Sequence, residues 1–434
     1  MKPIYYLGCK ADFIAPIVEA INAVDPTKGR VCDLFSGSGA ISAAVALERD
    51  VTSVDIQEYA RVICSAQINP IRFREADFVR LRGVLGDLND SLKIRHCVAP
   101  LIDFEDAAIE RAKIGRLDDI VELIEAPPLF AADYRVNSPY GRARAASQRL
   151  LRQYGLLDRS ESTVVRHFGG IYFSFEQACW LDAMMCAAQD LNKKKRDVVT
   201  AAVLSCASSM VNTVGKQFAQ PLRPRDKAGS IKKSIANSIV RDRSIDAVHA
   251  FISWLRRYGQ LPSTVGRNDA VRGDFARILK ARASEFSVIY ADPPYTRDHY
   301  SRFYHVLETI CLHDSPEVVS VKRTGGVEIS RGIYRRDRHQ SRFCIRSQAP
   351  AAFAELFSLA SQAKLPIVLS YSPHEKGDGT HPRVMRLKDL VDIGRKFYRR
   401  VDVAFLDGST HNKLNRADLT LGARTHAEVL LLCK

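Results

Sequence analysis

The 434-residue chain holds 64 Lys and Arg against 49 Asp and Glu, a net charge of +15, and 46% of its residues are apolar. That length accommodates two domains, or one domain with a large insertion, and the charge fits a polyanionic partner without naming it. No run approaches the roughly 18 apolar residues of a membrane span, and no basic-then-apolar leader opens the chain, so a cytoplasmic protein with no membrane partner is expected.

Near the N-terminus, Ile4-Tyr5-Tyr6-Leu7-Gly8-Cys9-Lys10 precedes an apolar-periodic helix over about residues 11–24. Gly8 permits close backbone approach, and Lys10 stands where the loop enters the helix. Residues 30–69 read as strand, Gly-rich turn, helix and strand. Val31-Cys32-Asp33-Leu34-Phe35 is a short apolar strand, Ser36-Gly37-Ser38-Gly39 the turn, Ala40 to Glu48 a helix, and Val51-Thr52-Ser53-Val54-Asp55 the next strand, followed by Ile56. A Gly-rich turn entering a helix lets a ligand touch the backbone at the positive helix end. Ser42 stands where the GxGxxG dinucleotide fingerprint has its third glycine, which argues against NAD or FAD. Asp55 ends its strand as an anionic acceptor suited to ribose hydroxyls.

Residues 70–170 show charged helical stretches (Asp103 to Ala126), a Pro127-Pro128 break and a polar stretch, Asn137 to Arg142, that reads as a loop. Residues 171–260 are mainly helical. Ser174-Phe175-Glu176-Gln177 has capping-box form and starts a helix to about Leu191, with Phe175, Cys179, Trp180 and Met185 as core. Lys193-Lys194-Lys195-Arg196 reads as a solvated helix end. Asn212-Thr213-Val214-Gly215-Lys216 follows, and Leu222–Arg243 carries seven Lys and Arg against two Asp, among them Arg223, Arg225, Lys232 and Lys233. Amide, hydroxyl and cationic groups in such a loop suit phosphate contacts and base-edge readout. The ten cysteines stand singly, without a CxxC pair, so neither disulfides nor a metal site are expected.

From residue 262 the α/β rhythm returns. Gly273-Asp274-Phe275 precedes the apolar strand Val288 to Ala291, which ends in Asp292-Pro293-Pro294-Tyr295. Two successive prolines remove two N–H donors and fix φ, leaving a rigid elbow that only accepts hydrogen bonds. A carboxylate, a fixed carbonyl and an aromatic plate suit a planar guest bearing an NH2 group, which would donate to Asp292 and the Pro293 carbonyl while its ring stacks on Tyr295. A helix over about Phe303 to Cys311 follows, then Lys322 to Arg346, with eight Lys and Arg (Arg335, Arg336 and Arg338 among them) against two carboxylates. Such a stretch, with Arg302, suits contacts to a nucleic-acid phosphate backbone beside the elbow. Pro366 to Tyr371, Val401 to Leu406 and Glu428 to Cys433 read as further strands, with helices over about Ala351–Ala363 and Leu387–Tyr398.

Asp292-Pro293-Pro294-Tyr295 resembles the catalytic motif of S-adenosylmethionine-dependent adenine-N6 DNA methyltransferases, and His299 to Thr309 is similar to a subgroup of them. Asp in the first position favours DNA over the RNA and protein-glutamine enzymes, which more often carry Asn. The resemblance implies that Tyr6, Gly8 and Lys10 help hold the methionine end of S-adenosylmethionine. It also implies that Asp33, Phe35, Ser36, Gly37 and Gly39 form the cofactor loop, and that Asp274 and Phe275 hold the adenine. It extends, less specifically, to Asn212-Thr213-x-Gly215. The implied fold is an open, seven-stranded, mostly parallel α/β sheet built from residues 1–69 and 262–434. Residues 70–261 would be a mainly helical insertion carrying target recognition. The implied activity is site-specific methylation of adenine N6 on a base flipped from double-stranded DNA, in a restriction-modification or other phage-defence setting with any nuclease on a separate chain. An RNA adenine-N6 enzyme, a DNA cytosine-N4 enzyme and a non-catalytic DNA-binding regulator with a vestigial pocket remain open at this point.

Overall fold

In the computed structural model the described residues are 1–5, 10–131, 134, 137–297, 300–323, 326–371, 383–406 and 428–434. Seven strands form one sheet: β1 (Val31–Leu34), β2 (Val51–Asp55), β3 (Asp269–Arg272), β4 (Val288–Ala291), β7 (Ile367–Tyr371), β8 (Val401–Leu406) and β9 (Glu428–Cys433), with β5 (Ser320–Arg323) and β6 (Gly326–Ile329) apart as an antiparallel hairpin. The spatial order is β3-β2-β1-β4-β7-β9-β8, and only β9 runs antiparallel to its neighbours. The seven-stranded, mostly parallel α/β sheet expected from the sequence is therefore present. β1, β4 and β7 are buried along their whole length, because a parallel sheet is covered on both faces.

On one face, α1 (Ile14–Val24), α2 (Ala40–Val45) and α3 (Glu58–Ile68) bury Ile17, Ile21, Ile41, Val45, Cys64 and Ile68 against the strands. On the other, α13 (Phe275–Arg282), α15 (Ala349–Gln362) and α16 (Leu387–Gly394) bury Phe275, Ile278, Phe353, Leu356 and Leu390. Between α3 and β3 the described elements are helical: α4 (Glu75–Ser91), α5 (Ile94–Lys113), α6 (Asp118–Glu125), α7 (Pro139–Gln153), α8 (Thr163–Phe168), α9 (Phe175–Gln189), α10 (Lys193–Met210), α11 (Ala236–Arg243) and α12 (Ala247–Gly259). Their apolar faces share one continuous core with Tyr59, Val62 and Ile63 of α3 and with Tyr304, Val306 and Leu307 of α14 (Tyr300–Leu312). The helices thus form a third layer on the sheet. Among the described residues no helix is long and apolar enough to cross a membrane.

Local signals explain most boundaries. The capping box at Ser174 forms as expected, with the Ser174 hydroxyl accepting from the Gln177 N–H and the Gln177 side chain accepting from the Ser174 N–H. The stretch Asn137 to Arg142, expected as a loop, instead opens α7. Ser138 caps the helix by accepting from the Gly141 N–H, and Pro139 takes the first helical position, where its missing donor costs nothing. Lys193 to Arg196 start α10 under an Asn192 cap rather than ending a helix.

Candidate active site

The order of strands reverses between β1, which continues to β2, and β4, which continues to β7. At such a switch point the loops leaving the two strands part to opposite faces and open a crevice at the carboxyl edge. Leu34 pairs with Ala291, so the turn after β1 and the proline elbow after β4 leave the sheet side by side. One open cleft joins them. Of the residues expected to hold the cofactor, Lys10, Asp33, Phe35, Ser36, Gly37, Asp55, Ile56, Asp274 and Phe275 line it, together with Asp292, Pro293, Pro294 and Tyr295. Gly39 stands one step behind as the cap of α2. There its φ of +77° and the approach of Cys64 and Gln67, within 2.9 Å of where a Cβ would sit, require glycine. Tyr6 and Gly8 lie outside the described residues.

The cofactor half is held by carboxylates and rings. Asp55 accepts from the Gly37 N–H at 3.0 Å and the Gln57 N–H at 2.9 Å, tying together the loops that follow β1 and β2. Burial pushes its pKa up to about 6. Asp33 accepts from the Ser42 hydroxyl with one oxygen, while its buried Oδ1 has no partner among the described residues. Burial, opposed by Ser42 and reinforced by Asp292, lifts its pKa to about 7. Phe35, in the left-handed region at φ 62°, packs within 5.7 Å of Phe275 and 5.1 Å of Phe343, and these rings wall one end of the cleft. Asp274 caps α13 by accepting from the Ala276 N–H at 2.9 Å. An orphaned buried carboxylate oxygen, an anionic strand end and an aromatic wall fit a nucleoside bearing a charged tail, so the site suits S-adenosylmethionine.

At the elbow, Asp292 Oδ1 lies 3.3 Å from Lys10 Nζ, and the same ammonium lies 3.2 Å from Glu428 Oε2 at the head of β9. Lys10 is 5% exposed, Asp292 21% and Glu428 0%. Burial raises the pKa of Asp292 above the usual carboxylate range, against the pull of Lys10. Tyr295 is buried, edge-on to Tyr371 at 5.2 Å, with the Lys10 and Arg383 cations 5.4 and 4.8 Å from its ring centre. Lys10, expected at the methionine end of the cofactor, is held at the elbow by Asp292 and Glu428.

Sequence reading passed over groups that back the cleft as well as some that line it. Glu428 heads a strand read only as apolar, and its charge in the run Glu428-Val429-Leu430-Leu431-Leu432-Cys433 was the available signal. Tyr290, Tyr300 and the segment His339 to Cys344 also line the cleft, so part of the basic stretch expected at DNA forms its wall.

The other expected DNA contacts divide. Asn212 is buried, donating to Ser238 O and Asp242, and Thr213 is buried beside it. Lys216 donates to Ser209 O and Val211 O and pairs with Asp242 at 2.9 Å, closing the end of α10. Arg335 is buried and makes paired contacts to Asp314 at 2.6 and 2.8 Å and a further ion pair with Asp337. Lys216 and Arg335 are held within the fold, since a cation drawn out of water is tolerable only with its partners. Arg225 pairs with Glu125, Arg336 with Glu317, Arg223 donates to Gln220, and Lys232 donates to Arg223 O. Lys233 is exposed. Arg302 and Arg338 both lie over the Tyr334 ring, at 4.9 and 4.7 Å.

Residues 6–84 match the family model of the D12 class N6 adenine-specific DNA methyltransferases. The family resemblance read from the sequence is borne out over this segment, which contains β1, β2 and the turn at 35–39 and ends before the proline elbow. A curated relative, the modification methylase LlaI of Lactococcus lactis subsp. lactis, is 33% identical over 110 residues, 25% of this chain and 14% of the relative. The chain therefore spans far less than two thirds of that relative. No solved structure matches the chain.

The buried carboxylates give the protein a defined pH dependence. Asp33 (about 7), Asp55 (about 6) and Glu428 (about 7) all have folded-state values above their ordinary ones. The folded state then holds more protons than the unfolded state between roughly pH 4 and 7, so these groups make stability fall as pH rises through that window. Thermal melts of the ligand-free protein from pH 5 to 7.5 are expected to fall more steeply for wild type than for Asp33→Asn; parallel curves would remove Asp33 from this account.

Proposed function

We propose that the protein is an S-adenosylmethionine-dependent DNA methyltransferase that modifies adenine N6 on a flipped base. The observation that carries this reading is the single cleft in which the 35–39 turn and the Asp292–Tyr295 elbow face each other. The match to D12 class enzymes over residues 6–84 supports the choice of adenine and DNA.

Bound S-adenosylmethionine supplies the sulfonium methyl as electrophile. Asp33, Asp55 and the wall of Phe35, Phe275 and Phe343 are the groups that would hold it. At the elbow, Asp292 and the Pro293 carbonyl accept the two amino hydrogens. An aromatic amine is a poor nucleophile because its lone pair is delocalised into the ring; taking both hydrogens favours a pyramidal nitrogen with that pair free. Orientation of this kind contributes roughly 7–11 kcal/mol in well-aligned systems. The proton leaves from a product cation, so no base is needed before attack. Flipping costs a few kcal/mol, and stacking on Tyr295, at about 1–3 kcal/mol per base, would offset part of it.

Arg302 and Arg338 are the proposed phosphate contacts. Two guanidiniums share one ring without a carboxylate between them, and Arg302 follows Ser301, which lines the cleft. Arg302→Ala with Arg338→Ala is expected to lower the slope of log affinity against log salt by about 1–2, while Arg335→Ala instead lowers stability. An unchanged slope in the double variant would place the duplex elsewhere.

Radiolabelled methyl transfer to duplex DNA, followed by digestion to nucleosides and mass spectrometry, tests the reading. N6-methyladenine is expected; N4-methylcytosine, or methylation of structured RNA alone, would replace it. Methylome sequencing of an expressing host gives the recognition site. By analogy with a relative named as a modification methylase, a cognate nuclease or defence subunit would be a separate chain.

A further inference from the structure

The three charged groups at the elbow are more than the proposed chemistry uses. Asp292 and the Pro293 carbonyl suffice to take the amino hydrogens, yet Lys10 is buried between Asp292 and a second carboxylate, Glu428, with no exposure of its own. Glu428 Oε1 accepts from the Ser370 hydroxyl at 2.9 Å on β7, the strand beside β4. Its Oε2 lies 3.2 Å from Lys10 Nζ and has no other donor among the described residues. A buried carboxylate is costly unless it is paired and hydrogen-bonded, and the partners it has here are Lys10 and Ser370.

We propose that Glu428 is a positioning residue of the transfer site. It competes with Asp292 for the Lys10 charge, so that Asp292 stays a strong acceptor for the amino group instead of being quenched in a closed ion pair. The inference rests on the methyltransferase reading and deepens it. Without Glu428, Lys10 would belong to Asp292 alone, and the attraction that steadies the carboxylate would also weaken its pull on the guest's hydrogens.

Among the described residues the other charged or titratable groups facing this pair are few. Asp33 adds negative charge beside Asp292, and Tyr290, Tyr295 and Tyr300 are buried phenols with pKa values raised by burial. Arg383 stands over Tyr295. Of these described groups, the carboxylates are the ones that change charge near neutral pH. Glu428, at about 7, and Asp292 therefore titrate as a pair, and the acid limb of the rate profile reports the upper step of that pair.

The experiment compares single-turnover methylation from pH 5 to 9 in wild type, Glu428→Gln, Lys10→Met and Ser370→Ala. Glu428→Gln leaves one carboxylate beside Lys10, so the acid limb is expected to move down by about one pH unit or more with a plateau several-fold lower. Lys10→Met moves the limb up. Ser370→Ala, a mild change, removes a donor that favours ionised Glu428 and also moves the limb up. A purely structural role would lower rates without moving the limb. With wild type active, a limb unmoved in both Glu428→Gln and Ser370→Ala overturns the inference. If wild type transfers no methyl group to any nucleic acid, the functional reading fails instead. Titration of ¹³C-labelled Asp and Glu carboxyls by NMR then decides the inference without turnover: the upper step must vanish in Glu428→Gln and rise in Ser370→Ala.

Discussion

Asp292→Ala is expected to lower methyl transfer by about 10²–10³-fold or more, the range seen when one preorganised group is removed from a transition-state site, while S-adenosylmethionine affinity changes little. The carboxylate is the anionic half of the elbow, and its loss leaves the guest's amino group with the Pro293 carbonyl alone. Its neighbours keep other partners: Lys10 retains Glu428 at 3.2 Å, and the Gly37 turn is held by Asp55, not by Asp292. The defect should therefore appear in the chemical step and spare the cofactor half. Asp292→Asn separates charge from acceptor geometry, because its side-chain oxygen still accepts one hydrogen bond; an intermediate rate is expected. Single-turnover assays with calorimetric cofactor binding read both quantities. Turnover near wild type in Asp292→Ala would remove the elbow from the mechanism.

How far the fold was legible depended on whether local chemistry or distant packing decided each element. β1, β2, β4, β7, β8 and β9 were readable because short apolar runs bounded by turn residues become buried strands. β3 was not, since Asp269-Ala270-Val271-Arg272 is a half-polar edge strand that pairs only because Thr52 to Asp55 offers it a register. The hairpin β5–β6 lay hidden in a stretch whose charge drew the reading toward DNA. Around the cleft, the groups that adjoin a turn or a strand end were found. Glu428 and the wall from His339 to Cys344 were not, because they reach the site from far along the chain. Asn212, Lys216 and Arg335 show the converse. Their residue types suit nucleic acid, but only the fold shows that Asp242 and Asp314 already hold them.

Within the helical layer one fully buried ion pair ties several elements together, and breaking it is expected to cost a large share of the stability. Glu105 of α5 accepts from Arg243 at the end of α11 and, at 2.6 Å, from the Phe175 N–H that opens α9. Arg243 also donates to Gly170 O at 2.8 Å, so the pair joins three helices and a turn. Both side chains are essentially unexposed, at 0% and 2%. Burial alone would raise the pKa of Glu105, and Arg243 opposes that rise. Arg243→Met strands the carboxylate, and removing one partner of such a pair costs about 3–5 kcal/mol. The stranded Glu105 can escape by taking a proton. In the variant its folded-state value lies further above the unfolded one, so the loss should be smaller near pH 5 and grow toward pH 8. Adding Glu105→Gln in the Arg243→Met background removes the charge and should recover most of the stability at pH 8. Urea denaturation of the full chain at both pH values measures all of this. A cost independent of pH, or no recovery in the double variant, would mean that packing of the two side chains, and not their charges, joins α5, α9 and α11.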